Sequence, residues 1–386
     1  VKVVIAPGAF KGSLPASEVA ESLAEGVRSV WPDAHVVLLP LSDGGDGWVE
    51  SMVSAGEGSS VEVDVRGPLG DPVRACYGII EAGGVDTAVI EMATASGLAL
   101  VPKDRRDPRR ATTYGTGELI LDALDRGAQR LLIGIGGSAT NDGGAGMAAA
   151  LGVRFTDASG ADLPPGGAAL ADLEHIDLAE VDPRLEEVET IVASDVENPL
   201  LGEDGASAVY GPQKGASPEM VRELETALAH FADVVEDAVG RKLRDEPGAG
   251  AAGGLGFGLM AFCGAELRPG VDLALDALEA DGVFEDAALL ITGEGMIDAQ
   301  TLAGKLPLGV ARRARRHGVP VVAVGGGIAA MERSLTKRFH DEGIILCSSI
   351  EQPASEDELM DPEGTRARLQ RAAERVTRLV ELGRRL

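Results

Sequence analysis

The chain has 386 residues, a formal charge of −27 at pH 7, 52 glycines and only 3 % aromatic residues. Bulk repulsion and the lack of stacking rings exclude nucleic acid and anionic membrane surfaces as partners. Cys76, Cys263 and Cys347 are widely spaced with no CxxC, and no two of the five histidines stand at i,i+4, so neither a disulfide framework nor a zinc site is expected.

Val1–Ala6 reads as a buried strand and not as a targeting peptide, and no apolar run reaches the ~18 residues of a membrane span. A cytoplasmic location is therefore expected. The loop PGAFKGSL follows, then a helix over 17–30 carrying Val19, Leu23, Val27 and Val30 at helical period. A second strand, His35–Leu41, runs into SDGGDGW and a helix from Trp48 to Val53. An apolar strand feeding a glycine-rich loop and a helix is the unit of a parallel sheet. The middle of the chain differs. Val61–Val65, Val73–Ile80 and Val85–Met92 are short strands joined by GPLGDP and EAGG, which predicts antiparallel pairing. Leu131–Ile135 leads into GGSATNDGG and a helix over 145–151, Thr190–Ala193 leads into SDVENPL, and residues 248–258 form a third glycine cluster. The parallel-sheet grammar then returns: strand Ala287–Thr292, the loop GEGMIDAQTLAGK, helix 308–317, strand Val319–Val324 ending in GGG, strand Ile344–Cys347 and a long helix over 363–386.

The expected fold is α/β with two domains. A discontinuous Rossmann-like parallel-sheet domain (1–60 and 268–386) receives an inserted α/β domain (61–267), and the cleft between domains is the expected active site.

Ligands of such sheets sit outside the carboxyl ends of strands, so the strand-end loops are the candidate site. Lys11 and Ser13 precede a helix N-terminus, where an anion is favoured. Asp43 and Asp46 are oxygen donors of the kind Mg²⁺ takes. The loop of residues 134–146, with Gly136, Gly137, Ser138, Thr140 and Asn141, offers backbone N–H groups and hydroxyls to phosphates. Asp195 and Asn198 follow a strand, with Lys214 in the later GPQKG. Glu294 and Asp298 flank a tight turn ahead of Lys305. Each loop also has a plain structural reading, as an N-cap, an Asx turn or a capped helix. None of these loops is a Walker A loop, and none gives a Rossmann GxGxxG after a strand with an acidic residue at the right offset.

Taken together, FKGSL, SDGGDG, GTGELI, GIGGSATNDGGAGM, SDVENPLLG, GPQKGASPEM, GAGAAGGLGFG and TGEG-IDAQTLAGK resemble the type I glycerate kinase family, in its order and spacing. The resemblance implies two α/β domains, ATP and Mg²⁺, and phosphorylation of glycerate, usually at its 2-hydroxyl. Three loops depart from the family pattern. Gly8 and Ala9 stand where the family reads APDSFKGS, Asp46 and Trp48 where it reads DGGEGT, and Met296 where it reads TGEGRID. An Arg can pair bidentately with a carboxylate and a Met cannot.

On this reading Asp195 takes the acceptor proton and Lys11 faces the transferring group. Gly8, Ser13, Asp43, Trp48, Met296 and Asn198 surround the acceptor. Gly136, Gly137, Ser138, Thr140, Asn141, Lys214 and Lys305 hold ATP, and Asp195, Glu294 and Asp298 hold Mg²⁺. The partners are then a small alcohol and ATP, without nucleic acid or membrane, and with homodimerisation left open. Two alternatives stand beside glycerate as the acceptor: a kinase of the same fold for a less anionic or bulkier alcohol, and a non-catalytic binding relative.

Overall fold

The computed structural model describes residues 1–329, 333–349 and 360–385. Its strands are β1 Lys2–Pro7, β2 His35–Leu38, β3 Ser59–Arg66, β4 Pro72–Ala82, β5 Val85–Glu91, β6 Arg130–Gly134, β7 Arg154–Thr156, β8 His175–Asp177, β9 Glu189–Ala193, β10 Glu266–Arg268, β11 Ala287–Ile297, β12 Val321–Ile328 and β13 Ile344–Ser348. The chain divides into two compact units. One holds Val1–Asp43, Glu50–Gly58 and Val271–Leu386, the other Gly44–Val49 and Ser59–Gly270.

The first unit is a five-stranded parallel sheet in the order β13-β12-β11-β1-β2. The continuous apolar run Val3–Ala6 lies on an inner strand, with Ile5 in register with Ile291 on one side and Leu38 on the other. One face of the sheet (Val3, Ile5, Leu289, Ile291, Val322, Val324) packs on Val19, Leu23 and Val27 of the helix Ala16–Arg28 and on Leu369 and Val376 of the helix Pro362–Arg385. Each such fully buried side chain stabilises the unit by roughly 1.5–3 kcal/mol. The two helices approach so closely that a Cβ on Gly26 would stand 2.2 Å from Gln370 O, so only glycine fits there.

β11 and β12 continue past the apolar runs that begin them. Residues 293–297, expected as loop, pair with the glycines expected to end β12 and with the residue after them: Glu294 with Gly325, Met296 with Gly327 and Ile297 with Ile328. The missing side chains allow this, since a Cβ on Gly293 would stand 2.3 Å from Val324 O. From β1 the chain moves one way across the sheet, to β2; from β11 it moves the other way, to β12 and β13. The direction therefore reverses between β1 and β11, and the crevice at their carboxyl ends is where a sheet of this kind takes a ligand.

The second unit is a six-stranded sheet, β10-β9-β6-β5-β4-β3, parallel from β10 to β5 and antiparallel through β4 and β3, with a separate β7-β8 ribbon. The glycine cluster at 248–258 is largely helix: Ala251–Phe262, entered through left-handed backbone at Ala252, Gly253 and Gly254. No helix among the described residues is long and apolar enough to cross a membrane.

Candidate active site

In the first unit a cavity of about 340 Å³ opens at the carboxyl ends of β1 and β11. Its wall contains Ala9, Lys11, Ser13, Asp43, Glu294, Met296, Lys305, Ser349, Thr365 and Arg368. The loop after β1 is closed by Phe10 N–H donating to Leu14 O (2.9 Å) and Leu14 N–H donating to Phe10 O (3.0 Å), with Gly12 at φ +81° between them. Phe10 is buried and anchors the loop, which leaves Lys11 exposed. The C-terminal helix is tied to this loop: Ser13 Oγ donates to Thr365 Oγ1 at 2.8 Å, and Arg368 Nη2 donates to the same hydroxyl at 2.7 Å.

On the β11 side, Asp298 caps the short 3₁₀ helix Ala299–Ala303, its carboxylate accepting from Gln300 N (2.8 Å) and Thr301 N (3.3 Å). Thr301 Oγ1 in turn donates to Glu294 Oε1 at 2.5 Å. Burial pushes the Glu294 carboxyl up; the Thr301 hydroxyl and the Lys305 charge work against this, while Asp298 and Asp43 add to it. A carboxylate pair such as Glu294 and Asp43 suits Mg²⁺, which takes one or two carboxylates and completes its shell with phosphate oxygens and water. Among the described residues no group of three or more His, Cys, Asp or Glu side chains converges on a metal position. Asp298 serves its helix cap.

Of Gly8, Trp48 and Met296, expected around the acceptor, only Met296 lines this cavity. Ala9 and Met296 line the cavity, and Met296 is 54 % exposed. Gly8 lies beneath it, its N–H on Gly293 O at 2.9 Å, and a Cβ there would meet Leu306 Cδ1 at 3.3 Å. Trp48, expected to shape the acceptor pocket, is 0 % exposed in the second unit, with Nε1 donating to Leu132 O at 3.4 Å. It has no surface to offer a ligand.

In the second unit the glycine-rich loops pack on one another. Gly136 N–H donates to Gly44 O at 3.2 Å, and a Cβ on Gly44 would stand 2.6 Å from Ala193 Cβ. Gly44–Trp48 therefore lies across the carboxyl ends of β6 and β9. A Cβ on Gly137 would meet Asp46 Oδ1 at 3.2 Å. Ser138 is 7 % exposed, and Thr140 and Asn141 are 0 % exposed. Asn141 Nδ2 donates to Ser207 Oγ at 3.0 Å, while Thr140 Oγ1 and Asn141 Oδ1 are buried without a partner among the described residues. Lys214 is also buried, its ammonium donating to Thr140 O at 2.7 Å. Burial pushes that ammonium down to about 7, and the nearby Asp142 charge works the other way. The fully buried Asp142 accepts from Thr113 N (2.8 Å), Thr113 Oγ1 (2.9 Å), Gly146 N (3.2 Å) and Gly144 N (3.3 Å). Thr140, Asn141 and Lys214, read as ATP ligands, thus hold the loop together from inside.

Asp195 lies just past β9, with Oδ1 accepting from Gly270 N at 3.1 Å, and is exposed. Asn198 holds its own loop: Nδ2 donates to Asp204 O (2.7 Å) and Oδ1 accepts from Tyr210 OH (2.8 Å).

Sequence reasoning missed Ser349, Thr365 and Arg368. They reach the cavity from the far end of the chain, and no local pattern marked them. It also missed Glu91, for which a signal existed: a carboxyl closing the apolar run Ala88–Ile90 of β5. A larger cavity, about 890 Å³, lies in the second unit with Arg66, Arg105, Arg106 and Arg110 in its wall. None of the glycine-rich loops lines it, and Arg66 and Arg105 are already paired with Glu118 and Asp71. The smaller cavity is the one on which sheet topology and motif residues agree.

Comparison with known proteins bears on what this arrangement does. A profile of the Glycerate kinase family matches residues 3–381. A protein named glycerate kinase from Bacillus subtilis (strain 168) is 53 % identical over 329 residues, covering 85 % of this chain and 86 % of its own. One named glycerate 2-kinase from Escherichia coli (strain K12) is 50 % identical over 328 residues, covering 85 % and 86 %. The crystal structure of a candidate glycerate kinase 2 from Salmonella typhimurium LT2 matches over 100 % of both chains with a TM-score of 0.88 at 45 % identity.

Proposed function

The chain belongs to the glycerate kinase family and is a kinase with an alcohol acceptor, and from that premise we propose that it transfers the γ-phosphoryl of ATP to the 2-hydroxyl of D-glycerate, with the acceptor in the cavity between the ends of β1 and β11. The observation that carries this reading is the convergence of Lys11, Lys305 and Arg368 on one small cavity in a chain of net charge −27. Such a cluster suits an acceptor carboxylate beside a phosphoryl group, both anionic. Phosphoryl transfer needs positioning and charge neutralisation more than covalent chemistry. Mg²⁺, when bound, would neutralise phosphate charge, and Glu294 and Asp43 are the carboxylates suited to hold it.

Lys11 faces the transferring group and Arg368 reads the acceptor carboxylate, a task Met296 cannot perform. Of the two lysines assigned to the triphosphate, Lys305 is the better suited, since the Lys214 ammonium is buried on Thr140 O. Lys214 and the buried loop residues keep the glycine-rich segment in shape. Asp195, exposed at the end of β9, is the carboxylate assigned to take the hydroxyl proton.

A second reading is favoured by the exposed thioether of Met296 in the cavity wall: the acceptor is a less anionic or bulkier alcohol. A coupled ADP-release assay with Mg-ATP against D-glycerate and a panel of small polyols separates the two, with the phosphorylated position read by phosphorus NMR. Turnover on D-glycerate giving 2-phosphoglycerate supports the first reading. Turnover confined to uncharged alcohols replaces it with the second. In the same assay Asp195→Asn is expected to lower kcat by about 10²–10⁴-fold; near-full turnover removes Asp195 from its role.

A further inference from the structure

Glu91 ends β5, following Thr87–Ile90, which are all buried, and is itself 8 % exposed. A residue that only filled this position would be apolar, like Val89 and Ile90 before it. Instead its carboxylate accepts from Val49 N–H at 3.5 Å, and the backbone N–H groups of Gly47 and Trp48 also bond to it. These groups begin the helix Trp48–Ala55, where a carboxylate is favoured by the unpaired N–H groups and the helix dipole. The segment is held at two further points, by Gly136 N–H on Gly44 O and by the Trp48 indole on Leu132 O. Of the three contacts, Glu91 alone carries an ionisable group. Burial pushes its carboxyl up to about 7; the Val49, Gly47 and Trp48 N–H groups work against the rise and the Asp46 charge adds to it. The Cys76 thiol on β4 also faces it and is pushed up, first by its own burial and then by the Glu91 charge.

We propose that Glu91 is the positioning residue of the segment Gly44–Trp48, fixing the backbone that directly follows Asp43 so that the Asp43 carboxylate keeps one orientation during phosphoryl transfer. This rests on the placement of Asp43 in the acceptor cavity proposed above.

The test uses the full chain with Trp31→Phe, which leaves Trp48 as the single indole. Glu91→Ala is expected to shift Trp48 emission to the red and to lower kcat by about 10²-fold, as misplacement near a reacting centre does, with the KM for ATP little changed. Glu91→Gln keeps an acceptor oxygen for the helix N-terminus. It should retain most of the activity and lose the change in Trp48 emission expected of the parent near neutral pH. Wild-type emission and kcat in Glu91→Ala would overturn the proposal. So would a Glu91→Gln protein whose emission still titrates like the parent's, and this variant decides the matter if the alanine protein does not fold. Should the parent fail to phosphorylate glycerate, the emission titration still reports on Glu91, so the two ideas fail separately.

Discussion

The glycine-rich loops of the two units are alike in sequence and do opposite work. At the ends of β1 and β11 the glycines let strands and loops come close, so that charged side chains are left around a cavity: Lys11, Asp43, Glu294, Lys305. At the ends of β6 and β9 they let loops stack on one another, so that Thr140, Asn141, Asp142 and Lys214 face inward. A hydroxyl or a lysine beside a run of glycines is therefore a ligand group only when the surrounding backbone leaves it an exit. The pairs that are made there, Lys214 on Thr140 O, Asn141 on Ser207 and the four bonds to Asp142, favour one loop shape, because breaking any of them leaves a buried group unpaired at a cost of about 1–3 kcal/mol.

Matched substitutions sharpen this contrast. Lys11→Ala in the first unit should lower kcat/KM by about 10²–10³-fold, as loss of a group stabilising transition-state charge does, with an unchanged melting temperature. Lys214→Ala in the second unit should show the reverse pattern. The void and the unpaired Thr140 carbonyl should lower stability by about 2–4 kcal/mol in a denaturant melt, and activity should fall only as far as the loop distorts. If Lys214→Ala were fully stable and inactive, the lysine would belong with the ligand groups after all.

A third test concerns the second unit alone. Burial opposes the charge on Glu236, yet the Arg244 guanidinium, the N–H groups of Arg244 and Leu243, and Lys242 hold its carboxyl down at about 2. A carboxyl depressed in the folded state stabilises fully above its unfolded value, near 4.5, and loses that contribution as pH falls through its folded one. Stability should therefore drop by about 3 kcal/mol between those two values. Glu236→Gln, followed by denaturant melts over that range, should flatten the slope. The smallest effect is expected at Met296→Arg, which adds a bidentate donor to the cavity wall and should lower the KM for D-glycerate several-fold while leaving stability unchanged.

Much of the fold was legible from the chain. The apolar runs at 1–6, 287–292 and 319–324 mark the centre of the five-stranded sheet, and the turns GPLGDP and EAGG mark the antiparallel edge of the other. What was not legible depended on what a glycine lies against. Residues 293–297 became strand because Gly293 has no Cβ to strike Val324 O, and residues 251–262 became helix because Gly253, at φ +72° and with a Cβ position 2.0 Å from Thr140 O, can take the kink. The site was legible in its motif loops but not in its sorting. Trp48, Thr140, Asn141 and Lys214 read as ligand groups although they are buried, because motif strings carry no information on which side of a loop faces solvent. Arg368 escaped notice, because a helix at the end of the chain reaches the cavity only through the close crossing at Gly26.

A crystal structure with D-glycerate bound shows where the acceptor sits. Glycerate is expected in the cavity at the ends of β1 and β11, its carboxylate against Arg368 and its hydroxyls toward Lys11 and Glu294. Glycerate bound against the loop of residues 136–146, with that cavity empty, would contradict that placement.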